Sequence, residues 1–269
     1  MTNLPGLPFD LTEAETGITL IAIVGARTTG LMLITPFLGK GVLTGLARNG
    51  VILALSLPLL KLGYDTRPPD FNPTDLFFTM GLVLKELAIG VLLGLPVATT
   101  AWGVEAAGFF IDNQRGSAMA SSLNPATGNQ TSPMGILLGQ AYTTWLFLTG
   151  GFLLMMRVLY QSERLWPLWR FTPALGPGFG TAMLNVLDGV MLLAVLIAGP
   201  AIIAMFLTEF GLALTSRFAP QLQVFFMAMP LKSAAGLLVL ILSAPLVFSE
   251  LGQHMPSPEG LLHGVAALL

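Results

Sequence analysis

Arg27 stands inside an apolar run, residues 18–38. An arginine at membrane depth costs roughly 2.5 kcal/mol or more unless it is paired or wet. Two roles suit it: a polar contact with a partner or pore, or a salt bridge within the chain. Lys85 and Glu86 fall inside a second long run, 76–104. Neighbours on a helix leave the axis about 100° apart, so these two are not expected to pair with each other. Glu86, Gly90, Gly94 and Ala98 recur every four residues and include a GxxxG pair. That stripe lets another helix approach closely, from the same chain or from another subunit. Asp188, Glu209 and Arg217 are the ionisable groups of the C-terminal part, and Glu209, Ala213 and Arg217 share a face if their helix continues that far. A proton relay through them is one reading, and interhelix or intersubunit polar contacts are the other.

Most enzymatic chemistry lacks its residues. There is no Cys, so disulfides, thiolate metal sites and thiol nucleophiles are excluded. The only two His, His254 and His263, lie close to the C-terminus. Ser117, Ser121 and Ser122 have no His or Lys base nearby, and no phosphate-cradling GxxxxGK[ST] occurs. No cofactor and no metal are expected. A net charge of −2 without a basic cluster argues against nucleic-acid binding.

From Gly116 to Met156 the chain carries no charge. The first half, GSAMASSLNPATGNQTSP, is small, polar and turn-forming. The second half, Met134 to Met156, is long enough to cross the ~30 Å hydrocarbon core as one helix. Irregular backbone at membrane depth is tolerated only where protein buries it or where it lines a water-filled cavity. The uncharged loop is therefore a candidate pore or gate element, and a plain surface loop is the alternative.

The elements that must position these residues follow from composition. The chain has 269 residues, 54% hydrophobic and only 10% charged, with mean hydropathy +0.78. Soluble domains carry about 25% charged residues. An all-α, integral membrane protein is expected. The segment before Arg27 has no basic residue and holds Asp10, Glu13 and Glu15, so a retained first helix is expected rather than a cleaved signal. Further apolar runs cover 49–62, 189–208 and 233–249. The 13 Met, Met119 and Met227 among them, read mostly as core filler. Placing the Lys40/Arg48 turn in the cytoplasm and alternating from there puts Arg157, Arg164 and Arg170 outside, against the positive-inside rule. Either one element does not cross, or hairpins are buried in a larger assembly.

Two stretches carry a resemblance. AGFFIDNQRGSAMASSLNPATGNQTSPMGILLGQAYTTWLFLTGG resembles the central signature of the FliR/SctT family, the export-gate subunits of flagellar and injectisome type III secretion; Gly108, Ile111, Gln114, Gly116, Pro125, Pro133 and Leu137 fill its places. SRFAPQLQVFFMAMPLK resembles a second family segment through Arg217, Ala219, Pro220, Gln221, Leu222, Phe225 and Pro230. The opening helix with TPFLGKGV and the KELAIGVLLG segment are also similar. DNQRG resembles the injectisome branch more than the flagellar one. Asn124, where Asp is frequent, is a minor departure.

The resemblance implies a subunit of a helical, hetero-oligomeric inner-membrane export gate, multi-pass and without a catalytic role. Residues 1–170 would be similar in shape to the SctR/FliP-like subunit and 171–269 to the SctS/FliQ-like hairpin. Both of those subunits are implied partners, as are SctU/FlhB-like and SctV/FlhA-like components and the secreted proteins in transit. The loop 112–133 maps onto the pore plug, through Asn113, Gln114, Arg115, Gly116, Ser117, Met119, Ser121, Ser122, Asn124 and Pro125. Subunit contacts are expected at Arg27, Glu86, Gly90, Gly94, Arg217, Pro220, Gln221, Pro230 and Lys232. Arg217, Pro220, Gln221 and Pro230 are expected in one bent, cytoplasmic connection between the last two long helices. The competing classes are a self-contained solute or ion transporter and, more weakly, a membrane enzyme.

Overall fold

The computed structural model describes residues 11–36, 44–116, 132–171, 179–218 and 224–253. These residues form seven helices and no strand: α1 (Leu11–Ile34), α2 (Gly45–Asp65), α3 (Leu76–Arg115), α4 (Pro133–Leu148), α5 (Gly151–Leu165), α6 (Phe179–Phe218) and α7 (Val224–Gln253). Five are long and apolar enough to cross a membrane, and the α4–α5 pair makes six if it counts as one broken span. Proline sits inside α2, α3, α6 and α7, as membrane helices tolerate.

Several elements differ from the sequence expectation. The run 49–62 belongs to a 21-residue helix, and 189–208 to one of 40 residues. The expected single helix from Met134 to Met156 is two helices, broken at Thr149–Gly150. Gly150 has φ 81, a left-handed conformation that glycine adopts at no steric cost. Pro230 lies inside α7 and not in the connection that precedes it, because α7 begins at Val224. Pro220 and Gln221 lie outside the described residues.

The helices divide into two compact units. One contains α1, α2, α3 up to Ala98, and α5 with the turn that follows it. The other contains α3 from Thr99, α4, α6 from Met183, and α7.

The first unit is organised around Arg27. Its guanidinium grips Glu86 with two donors, Nε to Oε2 at 2.5 Å and NH2 to Oε1 at 3.0 Å. NH1 reaches Glu163 Oε2 at 2.7 Å and donates to Ser162 Oγ at 2.9 Å, and NH2 donates to the carbonyl of Trp166 at 3.0 Å. Lys85 Nζ pairs with Glu86 Oε1 at 2.8 Å and donates to the carbonyl of Leu168 at 2.5 Å. The expectation that Lys85 and Glu86 do not pair is therefore corrected. The 100° offset separates their Cβ atoms, and the four-carbon stem of lysine reaches round it. Two cations and two carboxylates balance, and Arg27 and Glu86 have no exposed surface. Such a cluster fixes geometry more than it adds stability, because each charge has lost its water.

The small-residue stripe of α3 lies against α1 of the same chain. A Cβ on Gly90 would overlap the backbone carbonyl of Arg27, and one on Gly30 the carbonyl of Leu87. On Gly94 it would meet Ile34 Cγ2 at 2.5 Å. The glycines let the two backbones touch, which brings Arg27 and Glu86 within reach of each other. α2 joins through Ser56, whose Oγ donates to Thr28 Oγ1 at 2.9 Å. Tyr160 of α5 donates to the carbonyl of Leu55 at 3.2 Å.

Arg27→Gln leaves Glu86 and Glu163 without their shared cation. Breaking a buried pair from one side costs about 3–5 kcal/mol. Folded chain recovered in detergent should fall steeply, and Arg27→Lys should not restore it, since one ammonium cannot replace the guanidinium fork. Gly90→Ala should also lower recovery, by an overpacking cost of roughly 1–3 kcal/mol. Gly17→Ala, whose Cβ meets nothing within 4 Å, should leave recovery unchanged.

Candidate functional site

In the second unit, α3 and α4 pack backbone to backbone. A Cβ on Gly108 would overlap the Gly135 backbone, and one on Gly135 would meet the Glu105 carbonyl at 3.0 Å. Ala107 and Ile111 of α3 are fully buried beside this contact. The crossing brings the end of α3 to the start of α4.

Asp112, one turn before the end of α3, is 4% exposed. Its Oδ2 accepts from Ser132 Oγ at 2.7 Å and from the Met134 amide at 2.9 Å. Ser132 is the N-cap of α4, its Oγ accepting from the Gly135 amide at 2.9 Å, and Pro133 follows where a missing N–H does no harm. The carboxylate thus sits at the positive end of α4 and satisfies a backbone donor, the Met134 amide, that the helix leaves open. Its Oδ1 pairs with Arg115 NH1 at 3.1 Å. Arg115 Nε in turn donates to Ser233 Oγ of α7 at 3.2 Å. Gly116 then turns the chain out of α3 at φ 83.

The result is a clasp. The chain leaves at Gly116 and returns at Ser132, with both ends held by one carboxylate. The segment between, with Ser117, Met119, Ser121, Ser122, Asn124 and Pro125, lies outside the described residues. Asn113, Gln114 and Arg115 are the last turn of α3 and Pro133 opens α4, so the loop is shorter than the expected 112–133.

Other expected site residues fall elsewhere. Arg27, Glu86, Gly90 and Gly94 are taken up by the packing of the first unit. Arg217 is exposed in the last turn of α6, and Lys232 pairs with Glu209 at 3.0 Å across α6 and α7. Asp188 is an exposed residue of α6. No group of three or more His, Cys, Asp or Glu among the described residues could hold a metal. Sequence reasoning missed Asp112 as the clasp and Glu163 as a partner of Arg27. The Ser132-Pro133 helix start, with an unassigned carboxylate upstream, was the available signal for the first.

A family model described as bacterial export proteins, family 1, matches residues 18–257. The chain belongs to this family. It is 41% identical over 230 residues to the Yop proteins translocation protein T of Yersinia pestis, covering 85% of this chain and 87% of that protein. It is 34% identical over 218 residues to the surface presentation of antigens protein SpaR of Salmonella typhimurium, covering 81% and 80%. Identity to the flagellar biosynthetic protein FliR of Bacillus subtilis is 25% over 227 residues, covering 84% and 86%.

Asp112→Ala removes the contacts to Ser132, Met134 and Arg115 and leaves the Met134 amide without its acceptor. A buried donor left unmatched costs about 1–3 kcal/mol, so amide hydrogen exchange at residues 113–116 and 134–136 should speed up roughly tenfold or more. Asp112→Asn, which keeps an acceptor but loses the charge, should fall between.

Proposed function

We propose that this chain is a subunit of the inner-membrane export gate of a type III protein secretion system, and that the segment from Asn113 to Ser132 plugs its channel. The observation that carries the first part is the 41% identity to a Yop translocation protein over most of both chains. The lower identity to flagellar FliR favours the injectisome branch. Five or six apolar spans make it a multi-pass protein of the inner membrane.

A hetero-oligomeric setting has physical support. The 40 residues of α6 are about 60 Å long, and even at a 40° tilt they outreach the ~30 Å hydrocarbon core. Large apolar side chains stay exposed along it from Leu184 through Val195 and Phe206 to Phe218. Those beyond the lipid need protein cover. SctR/FliP-like and SctS/FliQ-like subunits are the proposed neighbours, with SctU/FlhB-like and SctV/FlhA-like components further out. In this reading residues 1–170 take the SctR-like part. Residues 171–269 take the SctS-like hairpin, in which Met205 of α6 fills the space above Gly236 of α7.

The plug reading rests on sequence and on the clasp. Between Gly116 and Ser132 the chain has no charge, so it can occupy a narrow site without desolvating an ion. Small residues leave room for displacement by a passing chain, and few bulky anchors keep the closed and open states close in energy. The clasp gives such a segment a fixed base. The subunit acts as conduit and gate, with no catalytic step of its own.

Deleting residues 117–123 should preserve assembly and raise ion conductance of membranes holding the complex. Normal assembly with unchanged conductance would contradict the plug reading. Purification as a monomer that binds a small solute would point to a self-contained transporter instead.

A further inference from the structure

Glu105 is the one carboxylate on the second-unit part of α3 that the clasp does not use. It lies within the apolar span Leu76–Arg115 and is exposed. Among the described residues it has no ion pair and no side-chain hydrogen bond. Its carboxylate rests in a notch left by Gly139 of α4: a Cβ there would meet Glu105 Oε1 at 2.9 Å and Cγ at 3.0 Å. On the same face of α3, three residues before and four after, Trp102 and Phe109 are 38% and 39% exposed.

This combination disfavours two surroundings. A carboxylate facing acyl chains is strongly unfavourable. Two large rings facing open water leave apolar area uncovered, which a wet channel wall does not favour. A carboxylate between two aromatic rings matches a guanidinium or ammonium group, which pairs with the acid and lies over the ring faces. Arginine and aromatic residues are also enriched where subunits meet. Two cations of the same unit, Arg115 and Lys232, already pair with Asp112 and Glu209.

We infer that Trp102, Glu105 and Phe109 form an intersubunit docking surface, and that its occupant is a membrane helix of a neighbouring gate subunit presenting an arginine or lysine to Glu105. The inference rests on the export-gate reading for the presence of a neighbour. It adds the contact residues and the charge of the partner. Gly139 belongs to the same surface, because its missing side chain seats the acid.

The test uses the assembled gate isolated from membranes. A photocrosslinking residue placed at Trp102 or at Phe109 should give adducts with one dissimilar membrane subunit, at a helix that carries a basic residue. Glu105→Gln should lower recovery of the complex several-fold, and Glu105→Arg more so. Reversing the mapped basic residue should restore recovery with Glu105→Arg, which a purely structural role in this chain would not allow. Since the native chain has no thiol, Glu105→Cys should be shielded from a membrane-impermeant cationic thiol reagent in the complex. Adducts with lipid alone, or rapid labelling of that cysteine in the intact complex, would overturn the inference and leave the gate reading standing. A chain that co-purifies with no other membrane subunit would overturn both.

Discussion

The constraint on which the first unit depends is that a charge inside an apolar protein must find all its partners there. Arg27 illustrates the consequence. Its guanidinium needs acceptors in several directions, and they come from α3, from α5 and from the turn after α5. To bring those acceptors close, the backbones of α1 and α3 must touch, which only Gly30, Gly90 and Gly94 permit. The glycine stripe and the buried arginine are thus two halves of one requirement. Replacing all the charges by well-packed apolar groups could be neutral for stability. What the cluster supplies is register: slide α3 by one turn and Glu86 loses Arg27.

The second unit uses a carboxylate differently. Asp112 is neither in a closed, charge-balanced core nor fully at the surface. It spends acceptor capacity on the ends of a loop, and its cation partner Arg115 also reaches α7. An anchor of a few hydrogen bonds suits the proposed plug, whose base would hold while the rest is displaced. The difference is one of wiring: the Arg27 network closes on itself, whereas the Asp112 network ends on a segment that carries the family signature.

Much of this was legible in the sequence. Apolar runs and scarce charge are enough to read a helical membrane protein, and the paired signatures place the chain in its family. The small-residue stripe marked a close helix contact, though not that α1 would be the partner. What stayed hidden depended on three-dimensional reach. Glu163 is far from Arg27 along the chain and sits in a segment rich in arginine, so its sequence surroundings do not point to Arg27. Lys85 and Glu86 were judged from helical angles, which say nothing about where a long side chain ends. The break at Thr149–Gly150 was written as a TGG run inside an apolar stretch, and hydropathy alone reads straight through it. Asp112 looked like part of a loop because the polar sequence after it hides where α3 stops.

The central claim is that a clasp at the end of α3 holds a segment that closes a protein-conducting channel. The most direct measurement is a structure of the complete gate isolated from membranes, with residues 117–131 traced through it. The account predicts that this segment crosses the channel axis, with Asp112 still bound to Ser132 and Met134 at its base. A segment running along the outer, lipid-facing surface of the assembly would contradict it.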